Sequence, residues 1–254
     1  MDLSRYTIWL PTLTLVAVRV AGLMLVAPIF GHAAIPARLR IFLSIAIALP
    51  VVGGFAAPVN LPDNWFDLVA ALGGELAIGA GIGYAARLVF AGVELGAEQI
   101  GQQMGIALAE VLDPMAEDPS GILRRLYQLL AIVIFLAIGG HRDLISAMLG
   151  SFHVVPLLGF PSPGAFLDAA TGVLAASFVL AMKVAAPVLI AMLLAAVAMG
   201  FIQRTIPQMN VFSTELSVRA MAGMVVMAAS LAVVAPLIEG AWKLTGGALS
   251  GLGL

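Results

Sequence analysis

Seven stretches of nearly uninterrupted apolar residues, about 8–30, 41–57, 68–112, 126–139, 144–160, 169–202 and 216–238, leave little of this chain for water to solvate. The hydrocarbon core of a bilayer is about 30 Å thick and takes about 20 helical residues to cross. Stretches of this number and length point to a membrane, and composition closes the alternative. Hydrophobic residues make up 62% of the chain and charged residues 10%, against about 25% charged in soluble domains. So few charges cannot cover so large an apolar core. The same balance excludes disorder, which needs low hydrophobicity and high net charge. A net charge of −2 gives no basic footprint, so no nucleic-acid partner is expected. The chain has no cysteine, which excludes disulfides and thiolate chemistry. The expected fold is an all-α membrane protein of long, partly broken helices.

Two stretches do not fit an ordinary span. The stretch 126–139 has 14 residues and reaches only about 21 Å. It crosses only if Arg124 and Arg125, or Gly139 and Gly140, are carried into the helix. The stretch 68–112 has the opposite anomaly: twice a normal span, with Glu75, Arg87, Glu94, Glu98 and Glu110 scattered through it. Each such charge would cost about 2.5–3.5 kcal/mol at mid-membrane, so they are expected to face protein or water. The segment is expected to be a helix pair or a broken helix packed against partners, as in a subunit of a larger assembly. Lys183 and Arg219, isolated bases in apolar runs, join Arg87, Glu94 and Glu98 as expected members of buried charge pairs. The opening MDLSRY carries one acid and one base before a run too long for a signal core, so the N-terminus is expected to be retained.

Prolines punctuate the rest, at Pro58 and Pro62, at Pro114 and Pro119, and at Pro156, Pro161 and Pro163. Proline ends or kinks helices, so these mark connections. The last group divides the chain into residues 1–163 and 164–254. The second part reads as a helical hairpin joined by the polar turn Gln203 to Glu215. The basic pairs Arg38 with Arg40 and Arg124 with Arg125 are too evenly spread to orient the chain by the excess of cytoplasmic bases.

Catalytic signatures are lacking. His32, His141 and His153 form no HExxH pattern and read as structural, and there is no GxSxG. The GAGIG from Gly79 lies in an apolar helix without a preceding strand, which argues against a phosphate loop. Neither an enzyme, a cofactor nor a metal is expected. Glycine spacing carries more. Gly79 with Gly83, Gly92 with Gly96, and Gly101 with Gly105 are three successive GxxxG pairs, which let helix backbones approach closely. The first two pairs are expected to pack against another subunit. The segment from Gly96 to Pro114 adds the amides Gln99, Gln102 and Gln103 with Met104, and ends on Asp113 and Pro114. Such a segment suits a flexible hydrophobic constriction, and equally a helix end running into a loop. Met221, Met224 and Met227, at steps of three, read as core or interhelix filling.

The GxQxGxxxAxxxDP pattern within Gly96 to Pro114 resembles the FliR family of flagellar type III export-gate proteins. Arg19 with Pro28, Ile35 to Arg40, Gly73 to Gly83, Phe135 to Gly159 and Arg204 to Phe212 are similar to further motifs of that family. The chain departs from it at Glu215 to Val218, where relatives often carry a Gly-Phe-Pro-Leu type run, and at Leu108, where some carry an aromatic. Gly101 to Gly105 lacks the Asn-Gln-Arg-Gly run of the homologous virulence-secretion component, which favours the flagellar branch. The resemblance implies a multi-pass subunit of the bacterial inner membrane, at the core of the flagellar basal body. There it would join FliP-like and FliQ-like subunits and other export proteins in one helical complex that passes unfolded flagellar substrates. It further implies that residues 1–163 are FliP-like and 164–254 a FliQ-like hairpin. By position, Gly101, Gly105 and Leu108 would set the closed constriction, with Gln102, Met104, Asp113 and Pro114 supplying flexibility and anchoring. The rival readings are the virulence-secretion homologue, an independent secondary transporter built on Arg87, Glu94 and Glu98, and a scaffold without a channel role. No inverted repeat supports the transporter.

Overall fold

The computed structural model describes residues 3–31, 35–54, 59–62, 64–106, 121–159, 163–205 and 211–251. Among them are seven helices and no strand. In chain order they are α1 (Leu3–Val26), α2 (Ala37–Gly54), α3 (Trp65–Met104), α4 (Ile122–Ala137), α5 (Gly140–Val154), α6 (Pro163–Thr205) and α7 (Val211–Gly251). Five of these are long and apolar enough to cross a membrane, and α4 with α5 pass the same test only as a broken pair. The all-α membrane architecture expected from the sequence is therefore present.

Local sequence explains where the helices stop. As far as Met104, the stretch expected to form a helix pair or a broken helix is one helix, α3, of 40 residues. No proline lies between Trp65 and Met104, and nothing else interrupts its backbone ladder. Gly105 ends it at φ +76°, a left-handed conformation that glycine adopts without steric cost. The short stretch 126–139 gains length at its front, because α4 takes in Arg124 and Arg125. Its buried residues Leu123, Tyr127, Ala131 and Phe135 recur every four residues, the period of one helical face. Gly139, at φ +79°, separates α4 from α5. His141 follows as the second residue of α5. Pro163 opens α6 at a position where its missing N–H costs nothing. Pro11, Pro50, Pro187 and Pro236 lie inside helices and do not end them. An apolar environment makes every non-helical backbone group expensive, so a helix absorbs one lost bond there.

The helices contribute to two compact units. The first comprises the described residues of Met1–Leu88, Gly139–Leu174 and Trp242–Leu254. Its core includes Leu15, Leu23, Met24, Ile82, Leu144 and Met148. In it Thr12 Oγ1 accepts from the Val59 N–H at 3.0 Å, and the Trp242 indole N–H donates to Asp143 at 3.0 Å. The second unit comprises Val89–Ile138 and Ala175–Ala241, with Ile100, Met104, Tyr127, Phe135 and Met192 in its core. Phe90 and Phe135 meet there edge to face at 5.4 Å. These units follow packing and not chain order, since α6 and α7 contribute to both.

Candidate functional site

Two clusters stand out, one in each unit. The first forms where α1 crosses the front of α3. Glycines make the crossing possible: a methyl on Gly79 would fall on the Arg19 carbonyl oxygen, and one on Gly83 would lie 3.0 Å from the backbone of Leu23 and Ala27. Gly22 answers from α1, where a methyl would overlap the Leu76 carbonyl. This close approach lets Arg19 reach across, and it is fully buried. Its Nε donates to Glu75 Oε2, itself buried on α3. Nη1 donates to the Ser151 carbonyl and hydroxyl, both at 3.2 Å, and to the Val155 carbonyl at 3.0 Å. The other Glu75 oxygen accepts from the Leu158 N–H at 3.0 Å. The Phe152 ring lies 4.4 Å below the guanidinium carbon, adding cation–π attraction.

A desolvated ion pair of this kind is held by its hydrogen bonds as much as by its charge. It also fastens a strained turn, because Leu158 sits at φ 67°, rarely adopted by a residue with a side chain. The cluster joins α1, α3, α5 and the turn after α5. Its carboxylate is occupied on both oxygens, so it is built to position and not to move protons. In the sequence Glu75 stands out only as one of five scattered charges, and nothing there names Arg19 as its partner. The signal was present: each is alone in its apolar surroundings, and neither could be left unpaired.

The second cluster is the C-terminal end of α3, in the second unit. Met104 is fully buried. Its side chain fills a notch on α7, since a methyl on Gly223 would lie 2.5 Å from Met104 Cγ and 2.7 Å from its sulfur. A methyl on Gly105 would overlap Leu216 of α7, and one on Gly101 would make ordinary contact with Leu123 of α4 at 3.7 Å. Gln102 is exposed and donates weakly to Glu98 at 3.5 Å. Gly101, Gln102, Met104 and Gly105 thus share one helix end anchored to α4 and α7. Leu108, Asp113 and Pro114 lie outside the described residues, as does His32.

The other expected site residues are placed as follows. Gly92 and Gly96 face α6, where added methyls would lie 2.5 Å from the Ser177 carbonyl and 2.8 Å from that of Ala181. All four glycines expected at a subunit interface are therefore filled by helices of this same chain. Arg219 pairs with Glu215 one turn earlier on α7. Arg87, Glu98 and Lys183 are exposed on the chain and Glu94 is half-buried, and among the described residues none of the four has an ion-pair partner. Met221 and Met224 point outward, so they do not fill this chain's core.

Comparison with known proteins accounts for nearly the whole chain. Residues 10–245 match the family described as bacterial export proteins, family 1. The chain is 31% identical to the flagellar biosynthetic protein FliR of Escherichia coli (strain K12) over 243 residues, covering 93% of this chain and 90% of that protein. It is 27% identical to the FliR of Bacillus subtilis (strain 168) over 241 residues, covering 92% of each. For the FliR of Pectobacterium carotovorum subsp. carotovorum the identity is 30%, covering 87% of this chain and 85% of that protein.

Proposed function

This chain belongs to the bacterial export proteins, family 1, and on that premise we propose that it is a non-enzymatic subunit of the flagellar type III export gate in the inner membrane. It forms the export channel with FliP-like and FliQ-like subunits, and helps to plug it when closed. Residues 1–163 are its FliP-like half and 164–254 its FliQ-like hairpin. The names of the similar proteins support the flagellar assignment.

One observation carries the need for partners. The apolar span of α6 runs 40 residues, Phe166–Thr205, and only 22% of the apolar window within it is buried in the chain. At about 1.5 Å per residue it is about 60 Å long, twice the hydrocarbon thickness of a bilayer. Lipid can cover half of it at most. The remainder needs protein, and neighbouring subunits provide it. The same cover gives Arg87 and Glu94 counter-charges, since neither has an ion-pair partner among the described residues.

In this reading Gly101, Gly105 and Leu108 set the closed constriction, and Gln102, Met104, Asp113 and Pro114 give it flexibility and anchoring. The Gly105→Leu variant tests it, because the larger side chain meets both the left-handed backbone and Leu216. We expect impaired secretion of flagellar substrates, or a membrane that leaks ions. Normal secretion and normal sealing together would remove Gly105 from the gate.

A further inference from the structure

The first unit has a level at each end that its own contacts define. Arg19 of α1 meets Glu75 of α3, and Ala27 lies against Gly83, so both contacts join residues 56 apart in sequence. Numbers rise together on both sides, so α1 and the front of α3 run parallel. The same offset brings Trp9 level with Trp65. Both rings are exposed, and Phe66 beside them is 85% exposed. Helix α2 packs on α1 and runs back along it, because the chain leaving α2 returns to the front of α1, where Val59 meets Thr12. Arg38, in the first turn of α2, therefore stands at the end opposite Trp9.

Between those ends the outward face of α3 is apolar, and then it changes character. After Phe66 it presents Val69, Gly73, Leu76 and Ala77, and it reaches Tyr84, all exposed. Beyond Tyr84 the exposed residues include Arg87, Glu98, Gln102 and Gln103. From Trp65 to Tyr84 is 19 residues, about 28 Å of helix, and the hydrocarbon of a bilayer is about 30 Å thick. Exposed Phe42, Ile45 and Leu49 on α2, with Leu10 and Leu25 on α1, widen the same surface. Past Arg40, α2 carries no charge at all. From Trp9 to Val26 on α1 the one charge is Arg19, and between Asp67 and Tyr84 on α3 it is Glu75. Those two are buried against each other.

We infer that this face of α1, α2 and the front of α3 is the lipid-covered surface of the chain, an inference that goes beyond the export-gate reading and does not depend on it. Trp9 and Trp65 mark one boundary of the bilayer, and Tyr84, Arg87 and Arg38 mark the other. Tryptophan and tyrosine rings favour the headgroup level, and arginine stems carry their charge out to it. Contact with another protein sets no such length, whereas a bilayer demands it. The Arg19–Glu75 pair then lies near mid-depth, turned inward where exposure of either charge to lipid would be costly. Past Tyr84 lipid cover ends, and the outward charges of α3 meet protein or water instead.

The test labels the full chain, with whatever partners it retains, in nanodiscs of its own lipids. The chain has no cysteine, so Phe66→Cys, Gly73→Cys, Ala77→Cys and Tyr84→Cys can each carry one spin label, with the signal of the unsubstituted sample subtracted. A methyl on Gly73 has nothing within 4 Å, so that site tolerates a side chain. Collisions are measured with oxygen, which concentrates in hydrocarbon, and with a water-soluble nickel chelate. The ratio of oxygen to nickel access should be severalfold higher at Gly73 and Ala77 than at Phe66 and Tyr84. Exclusion of both reagents from Gly73 and Ala77 would show protein on this face and overturn the inference. Nickel access as high at Gly73 and Ala77 as at Phe66 would show water there and overturn it equally. If either central variant fails to accumulate, Leu76→Cys, on the same stretch, decides by the same ratio.

Discussion

At the scale of single residues, the fold depends on close approaches that only glycine permits and on one buried ion pair. Gly79 lies against the Arg19 backbone, whereas Gly73, on the same helix, has nothing within 4 Å of where a methyl would be. Gly79→Ala should force α1 away from α3 and lower the thermal midpoint in detergent sharply. Gly73→Ala should be neutral or stabilising by up to about 1 kcal/mol, the helix propensity difference. Equal midpoints for the two variants would contradict the crossing. Arg19 and Glu75 make a second test. Glu75→Gln or Arg19→Met alone should cost roughly 3–5 kcal/mol, because each leaves a buried charge uncompensated. Arg19→Met with Glu75→Gln should cost clearly less than the sum, read as a double-mutant cycle in chain stability. Additive costs would mean that the two groups do not depend on one another.

At the scale of helices, sequence and structure agree in kind and differ in continuity. Apolar length foretold the helices, and glycine spacing foretold that some would pack backbone to backbone. Spacing says nothing about which helix fills the groove, and here α1 and α6 of the same chain do so. The five charges in 68–112 suggested a break, yet α3 is unbroken as far as Met104. A charge weakens a span only if lipid surrounds it, and Glu75 is neutralised across the α1 contact. The end of α3 was legible as a glycine-rich helix terminus, but its anchor was not, because Gly223 lies more than a hundred residues away in sequence. That anchor predicts a compensating pair. Gly223→Ala should destabilise by displacing Met104, typically by 1–3 kcal/mol for an overpacked contact. Adding Met104→Ala should recover part of the loss, as measured by the amount of chain in the membrane and by secretion. No recovery would mean that Met104 does not occupy the Gly223 notch.

At the scale of the molecule, the feature to be explained is apolar surface that the chain does not cover. Three helices, α3, α6 and α7, each run 40 residues or more, about twice the span of a bilayer. Their inner faces build the two cores, while Phe178, Ile190, Leu193 and Phe201 of α6 remain outside them. The family and the all-helical architecture could be read from motifs and composition, because both are properties of local sequence. Partner contacts could not, since they depend on residues that other chains supply. The most direct measurement is native mass analysis of the wild-type chain released from its own membrane in mild detergent. The account predicts a particle in which this chain is bound to two kinds of smaller helical membrane protein in fixed multiples. A stable single copy, enclosed by lipid along all of α6, would contradict it.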